Sequence, residues 1–258
     1  MINPITQWLI PKRSLALAEA CLIGLVSGLS AVLLKHSIGW LGRWRLQAAL
    51  ILPPSFALPA FGLCLGLLCG FLIEFVASEA TGSGVPQIKG ALARFPIAMN
   101  LRVAAVKLVS TILSLAAGMT MGRQGPTVHI GAALAAQLTR WVPTSPDHRR
   151  QMIAAGAGAG LAAGFNAPLA SVAFIFEELL PDLSSITLGS AILASFIGAV
   201  VSRLLGGGTL DLNRELSNFS STFSALEIPF YLLLGVLAGL LAALFNQGIL
   251  SSLNFYDR

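Results

Sequence analysis

The chain has 258 residues, of which 55% are hydrophobic and 10% are charged. Soluble domains carry about a quarter charged residues, so this composition excludes an ordinary soluble domain and predicts an all-α integral membrane protein with many spans. The net charge of +5 does not predict nucleic-acid binding, because the basic residues flank apolar runs, where they anchor helices at lipid headgroups. Cys21, Cys64 and Cys69 lie in apolar runs without metal-ligand spacing, so we expect neither a metal site nor a cofactor.

The first predicted span is an apolar run at about residues 15–34, which Lys12 and Arg13 precede. Because basic residues favour the cytoplasmic side of a span, the N-terminus is predicted to lie in the cytoplasm. Residues 1–12 are predicted to form a short interfacial helix. The aromatic and basic residues at 40–45 are predicted to form a belt at the far end of the span.

The later apolar runs include several that are too short to be simple spans. After a full-length run at about residues 57–77, they cover approximately residues 103–121, 128–142, 152–165, 169–180 and 186–205. A simple span needs about 20 apolar residues, and short runs interrupted by glycine and proline are typical of broken helices that end within the membrane around a substrate site. A polar linker at 206–227 and a long span from 228 to about 253 complete the order of elements.

Glycines spaced four residues apart recur along the chain. They are Gly24/Gly28, Gly62/Gly66/Gly70, Gly118/Gly122, Gly156/Gly160/Gly164 and Gly235/Gly239. Because lipid supplies no hydrophobic drive between helices, faces of small residues allow close backbone contact. The spacing therefore predicts a compact helix bundle, without indicating a function.

The first motif with candidate chemistry is Gly82-Ser83-Gly84-Val85-Pro86. Ser83 stands just before a predicted helix start, and a proline early in a helix suits the first turn, where its missing N–H is not needed. The Ser83 hydroxyl and the adjacent amides are candidates to receive an anion. The alternative is an ordinary serine N-cap.

The second motif is Gly122-Arg123-Gln124-Gly125-Pro126, at the start of another short apolar segment. A helix N-terminus carries unpaired N–H groups and about half a positive charge, so one that opens within a membrane is a ready anion site. Arg123 would cost about 2.5–3.5 kcal/mol at the bilayer centre, so we expect it to face protein, a pore or the interface. A connecting loop with a topology-anchoring arginine is the alternative.

The third motif runs from Asn166 and Pro168, which mark a helix break, to the paired acids Glu177 and Glu178. These carboxylates close a short helix, where the C-terminal end of the dipole disfavours them. Their position requires solvent access, a basic partner or a role in proton handling. Two acids at a wet helix end are the simplest interpretation.

Taken together and in this order, the three motifs resemble those of the CLC family of chloride channels and chloride/proton antiporters. The resemblance implies a broken-helix bundle in which residues 1–205 form the first inverted repeat, 206–227 a linker and 228–258 the first helix of a second repeat. It implies chloride as the anion, a homodimer with one pore per subunit, and Glu178 as the inner proton-transfer residue. The implied anion site consists of Ser83, Gly84, Val85, Arg123, Gln124, Gly125 and Pro126.

Two departures from the family pattern bear on function. The gating position of the family is a glutamate, which occupies an anion site when charged and leaves it when protonated, whereas this chain has Gln124. Glutamine has nearly the same shape but cannot ionise. The later filter elements of the family, including a second helix N-terminus and a tyrosine near the end, have no counterpart among the 258 residues.

We therefore expect a non-enzymatic, channel-like chloride conductor in the plasma or inner membrane, with proton coupling lost at Gln124. The alternatives are a chloride/proton antiporter that uses Glu178 and another gate, and a non-conducting truncated remnant. A companion chain that supplies the second repeat would complete the pore. Residues 1–258 alone are expected not to conduct, because broken helix ends at membrane depth need protein or water to cover them.

Overall fold

The computed structural model describes residues 12–51, 53–142, 145–180, 185–206 and 227–256. The predicted interfacial helix at 1–12 and linker at 206–227 lie almost entirely outside these ranges. In the described part the regular elements are all helical, which confirms the all-α prediction. They are α1 (Lys12–Ile51), α2 (Pro54–Val76), a 3₁₀ turn (Ser78–Ala80), α3 (Val85–Leu92), α4 (Leu101–Ala116), α5 (Gln124–Trp141), α6 (Pro146–Phe165), α7 (Pro168–Phe174), a π-helical turn (Ile175–Leu179), α8 (Ser185–Gly206) and α9 (Ile228–Tyr256).

Within the described residues, four helical segments are long and apolar enough to cross a membrane. They are Ser14–Ile51, Ser55–Val76, Leu188–Gly206 and Ile228–Ser252. Helix α3, by contrast, has 8 residues and α7 has 7. At 1.5 Å per residue neither reaches half of the roughly 30 Å hydrocarbon thickness. The chain is therefore a multi-pass membrane protein that contains broken helices.

The chain separates into two compact units, residues 1–209 and 210–258. The first unit holds α1 to α8 and all three motifs. The second holds the single long helix α9. The assignment of the first unit as one inverted repeat stays a prediction.

Helix α1 is longer than the sequence predicted. It runs without a break for 40 residues and extends beyond the apolar run predicted at about residues 15–34. Trp40 and Trp44 lie inside the helix with ring centroids 4.8 Å apart, one turn apart on the same face. No proline interrupts the helix before Pro53, and the apolar run ends earlier than the hydrogen-bonded helix does.

The interior of the first unit depends on small residues. A Cβ added to Gly160 or Gly131 would collide with backbone atoms of Thr127 and Gly156 respectively, so α5 and α6 touch through their backbones. Gly24 and Gly28 face α8 in the same way. The close packing predicted for these glycine series is confirmed.

The prediction that Gly118 and Gly122 form a helix-packing face is wrong. Helix α4 ends at Ala116, short of the predicted limit at residue 121, and Gly118 has a φ of +95° in the turn that follows. This left-handed conformation suits glycine, which lacks a Cβ. The glycine pair therefore shapes a loop and does not form a helix-packing face.

Gly160→Ala should destabilise the protein by about 1–3 kcal/mol, because the new methyl group meets the rigid backbone of Thr127. Gly70→Ala is the matched control, because nothing lies within 4 Å of its added Cβ and alanine favours a helix by about 1 kcal/mol over glycine. Thermal unfolding in detergent should show a lower midpoint for Gly160→Ala only. Equal midpoints for the two variants would contradict the packing argument.

Candidate functional site

The N-terminal ends of α3 and α5 meet at the first two motifs. A Cβ added to Gly125 would lie 2.8 Å from the carbonyl oxygen of Ser83 and 3.3 Å from its Cβ. The backbones of the two motifs are therefore in van der Waals contact, although the residues are far apart in sequence. Two helix N-termini, each with unpaired amides and a partial positive charge, open at one place.

Ser83 lies one residue outside the position that would make it an N-cap. The N-cap of α3 is Gly84, with a φ of +93° and no side-chain capping bond. Ser83 Oγ accepts a long bond of 3.4 Å from the amide of Val85. The interpretation of Ser83 as an ordinary N-cap is therefore wrong, and its exposed hydroxyl remains able to donate to a ligand.

Position 84 requires glycine for two reasons: its backbone has a left-handed φ, and a side chain of α5 leaves no space for a Cβ. A Cβ there would collide with the side chain of His129, whose Cγ and Nδ1 would lie 2.6 Å away. His129 is fully buried, and neither ring nitrogen has a hydrogen-bond partner in the described part of the chain. Gly125 and His129 are one helical turn apart, so the start of α3 lies across one face of α5.

Lys107 is a residue of the site that the sequence analysis missed. It lies in α4 with only 4% of its surface exposed. Its Nζ donates hydrogen bonds of 2.7 Å to the carbonyl of Ala80 and 2.5 Å to that of Gly82. Lys107 therefore fixes the segment that leads into Ser83. A lone lysine inside an apolar run is a signal of a functional or structural role that could have identified it.

Gln124 begins α5, and Arg123 is its N-cap residue. A Cβ added to Gly122 would lie 3.1 Å from Gln124 Oε1, so the side chain of Gln124 turns back towards the preceding loop. Thr127 Oγ1 donates a 2.7 Å bond to the carbonyl of Gln124, which closes the first turn around Pro126.

Arg123 faces a different part of the unit from Ser83. Arg123 lines a cavity of about 20 Å³ together with residues of α1, α5, α6 and α8, Lys35 and Ser202 among them. The described lining of this cavity includes no residue of α3. The structure therefore brings Ser83, Gly84 and Gly125 together, and it places Arg123 at a separate cavity beside α1 and α8.

The third motif forms a helix break, as predicted. Helix α6 ends at Phe165, Asn166 adopts a left-handed φ of +57°, and α7 begins at Pro168. The π-helical turn that follows carries Glu178, and its Oε1 lies 2.5 Å from Nζ of Lys89 in the last turn of α3. The acid at this helix end therefore has a basic partner, and 43% of its side chain is exposed within this chain.

Comparison with known proteins identifies the family. The model of the voltage gated chloride channel family matches residues 65–258. The chain belongs to the voltage gated chloride channel, or CLC, family. The resemblance that the three motifs indicated is confirmed.

Relatives of this CLC chain include curated transporters and solved structures. The H(+)/Cl(-) exchange transporter ClcA of Citrobacter koseri is 33% identical over 94% of this chain, and that of Salmonella paratyphi B is 32% identical. The crystal structure of a slow cyanobacterial Cl-/H+ antiporter is 32% identical, with a TM-score of 0.83 over 96% of this chain and 59% of its own. A eukaryotic CLC transporter is 27% identical, with a TM-score of 0.73 over 89% of this chain and 42% of its own. The chain spans about half, 52%, of the length of the curated relatives.

At the anion site that the sequence predicts around Ser83, Lys107→Met should weaken chloride binding about tenfold, because it removes the charge-assisted bonds that hold Ala80 and Gly82 and one such bond contributes about 1.5 kcal/mol. Arg102→Gln is the control, since Arg102 is exposed on the same helix. Calorimetric titration with chloride measures both affinities. Unchanged affinity in a folded Lys107→Met variant would show that this tether does not shape the site.

Proposed function

We propose that the protein conducts chloride or similar small anions across a membrane without stoichiometric proton coupling. The observation that carries the proposal is the contact between Ser83 and Gly125, because it joins two helix N-termini at one point. The amides there replace part of the water shell of a desolvated anion, and the Ser83 hydroxyl adds a donor. The mechanism needs no covalent chemistry and hence no enzymatic step.

Chloride is the proposed anion because the names of the relatives include chloride. ClcA is described as an H(+)/Cl(-) exchange transporter, and the cyanobacterial structure as that of a Cl-/H+ antiporter. The contact between the first two motifs supports an anion site of this kind. The complete pore includes whatever residues supply the rest of the filter, in this polypeptide or in a companion chain.

The proposed loss of proton coupling rests on Gln124. A proton carrier must gain and lose a proton during the transport cycle, and a glutamate does so from a reference pKa of about 4.3. A carboxamide has no such equilibrium near neutral pH. Gln124 therefore resembles a gating glutamate in its protonated, open form, and it stays in this neutral form at any working pH.

Chloride/proton antiport is the second candidate. It is favoured by the names of the relatives and by the presence of Glu178, which we propose as the inner proton residue of such an exchanger. This mechanism would need a titratable outer group other than Gln124. Proton movement that accompanies chloride flux distinguishes the two candidates.

We also propose the surroundings in which the site works. Lys12 and Arg13, which precede the first span, support a cytoplasmic N-terminus. The protein is proposed to lie in the plasma or inner membrane as a homodimer, with one pore in each subunit. Crosslinking in native membranes tests the homodimer. Protease protection of the N-terminus tests its cytoplasmic location.

Ser83→Ala, made in the complete transporter, should change chloride/nitrate selectivity, because it removes the hydroxyl donor next to the α3 amides. Ser145→Ala is the matched control, since Ser145 is an ordinary N-cap that accepts a 3.2 Å bond from the amide of His148. Reversal potentials in a planar bilayer measure the selectivity. Equal selectivity in the wild type and both variants would remove Ser83 from the anion site.

Gln124→Glu should make chloride flux dependent on pH, with flux rising as pH falls. An ionised carboxylate competes for the anion site, and protonation releases it, so acid opens the path. Wild-type flux should show no such rise from this group and no uphill proton uptake in a chloride gradient. Chloride and proton electrodes on the same liposomes make the measurement. Clear uphill proton uptake by the wild type would favour the antiporter, and a lack of chloride flux would favour the non-conducting remnant.

A further inference from the structure

A group of arginines lies where the loop after α3 meets the end of α5 and the start of α6. These two segments, residues 93–100 and 140–150, contain four arginines and a single acid. Arg94 pairs with that acid, Asp147, at 3.0 Å, and Arg140 donates a 3.4 Å bond to the carbonyl of Met99. The fold therefore brings the two segments together. We call their arginines the arginine patch, which consists of Arg94, Arg140, Arg149 and Arg150.

The arginine patch lies at the same end of the helix bundle as the start of α1. Glu19, in the second turn of α1, is buried, and its Oε2 lies 2.6 Å from Nε2 of His148. His148 directly precedes Arg149 at the start of α6. The patch is therefore on the side of the membrane proposed above to be cytoplasmic, where basic residues near the ends of spans are favoured.

Most of the positive charge of the patch is uncompensated. Arg140, Arg149 and Arg150 have no ion-pair partner within the described ranges. Arg149 and Arg150 also follow directly on the first residues of α6, where the partial positive charge of the helix disfavours cations. A bound anion would offset both the repulsion between the arginines and the unfavourable helix end.

Exposed aromatic side chains border the patch and indicate what kind of anion fits. Phe95 is 65% exposed and Trp141 is 70% exposed, and each follows an arginine of the patch in sequence. Aromatic and basic side chains together are typical of the depth at which lipid headgroups lie. Arginine, in addition, binds phosphate oxygens through two parallel hydrogen bonds.

We propose that the arginine patch binds the phosphate headgroup of an anionic phospholipid, with Phe95 and Trp141 against the adjoining part of its acyl chains. Basic pockets between helices on the cytoplasmic side suit such headgroups. A lipid bound there links the loop after α3, the short helix that Ser83 precedes, to α5 and α6. This inference goes beyond the proposed function, because lipid binding does not require the protein to conduct chloride.

Native mass spectrometry of the complete transporter in detergent, titrated with dioleoyl phosphatidylglycerol, tests the proposal. Phosphatidylglycerol should bind more tightly than the zwitterionic dioleoyl phosphatidylcholine. Arg140→Gln, Arg149→Gln and Arg150→Gln combined should weaken phosphatidylglycerol binding about 100-fold, because each arginine near an anionic lipid surface contributes about fivefold. Each single variant should weaken it about fivefold.

Two further sets of variants show whether charge at this place is the cause. Lysine at the same three positions keeps the charge and should keep most of the preference for phosphatidylglycerol. Arg43→Gln combined with Arg203→Gln is the matched control, because these exposed arginines lie towards the C-terminal ends of α1 and α8, outside the patch. The control should bind phosphatidylglycerol like the wild type.

The outcomes keep this inference separate from the proposed function. Equal affinity for phosphatidylglycerol and phosphatidylcholine would overturn the proposal, and so would undiminished binding in the single and combined glutamine variants. Displacement of the lipid by an equal concentration of inorganic phosphate would show a site for free phosphate and not for lipid. Chloride flux plays no part in these measurements, so a failure of the proposed function leaves their result unchanged.

Discussion

The close approach of Ser83 to Gly125 is the constraint on which the rest of the site depends. Any side chain at position 125 would occupy the space of the Ser83 backbone, so glycine is required for the two helix N-termini to meet. Gly84 has the same role towards His129. Broken helices expose polar backbone groups that lipid cannot satisfy. A site of this kind is therefore stable only if the surrounding helices provide partners for those groups.

Basic side chains of long helices provide several of these partners. Lys107 binds the carbonyls of Ala80 and Gly82 before α3, and Arg45 donates a 3.1 Å bond to the carbonyl of Ala117 after α4. In each case a cation meets carbonyl oxygens at a helix end or loop, where the local partial charge is negative. Lys107 and Arg45 therefore hold these helix ends and loops in place.

The groups that would carry protons are distinct from those that would bind an anion in the proposed site. Gln124 cannot ionise, and Glu178 is engaged by Lys89. The proposed anion site, in contrast, consists largely of backbone amides and one hydroxyl, which need no titratable group. The part of the site that would bind an anion is thus physically separable from the part that would move protons.

The sequence by itself determined the membrane class, the broken helices, the three motifs and the family, because each depends on composition or on residues adjacent in the chain. It also predicted that Gly160 belongs to a closely packed helix face, whereas the structure identified α5 as the partner. Only the tertiary structure decided the uninterrupted length of α1, the loop conformation of Gly118, and the partners of Lys107 and Lys89. The physical reason is that a lysine pairs with whatever carbonyl or carboxylate the fold brings within 3 Å or so. The sequence does not show which backbone carbonyl a lysine will reach, and the partner of Lys89 is set by how α3 lies against the π-helical turn.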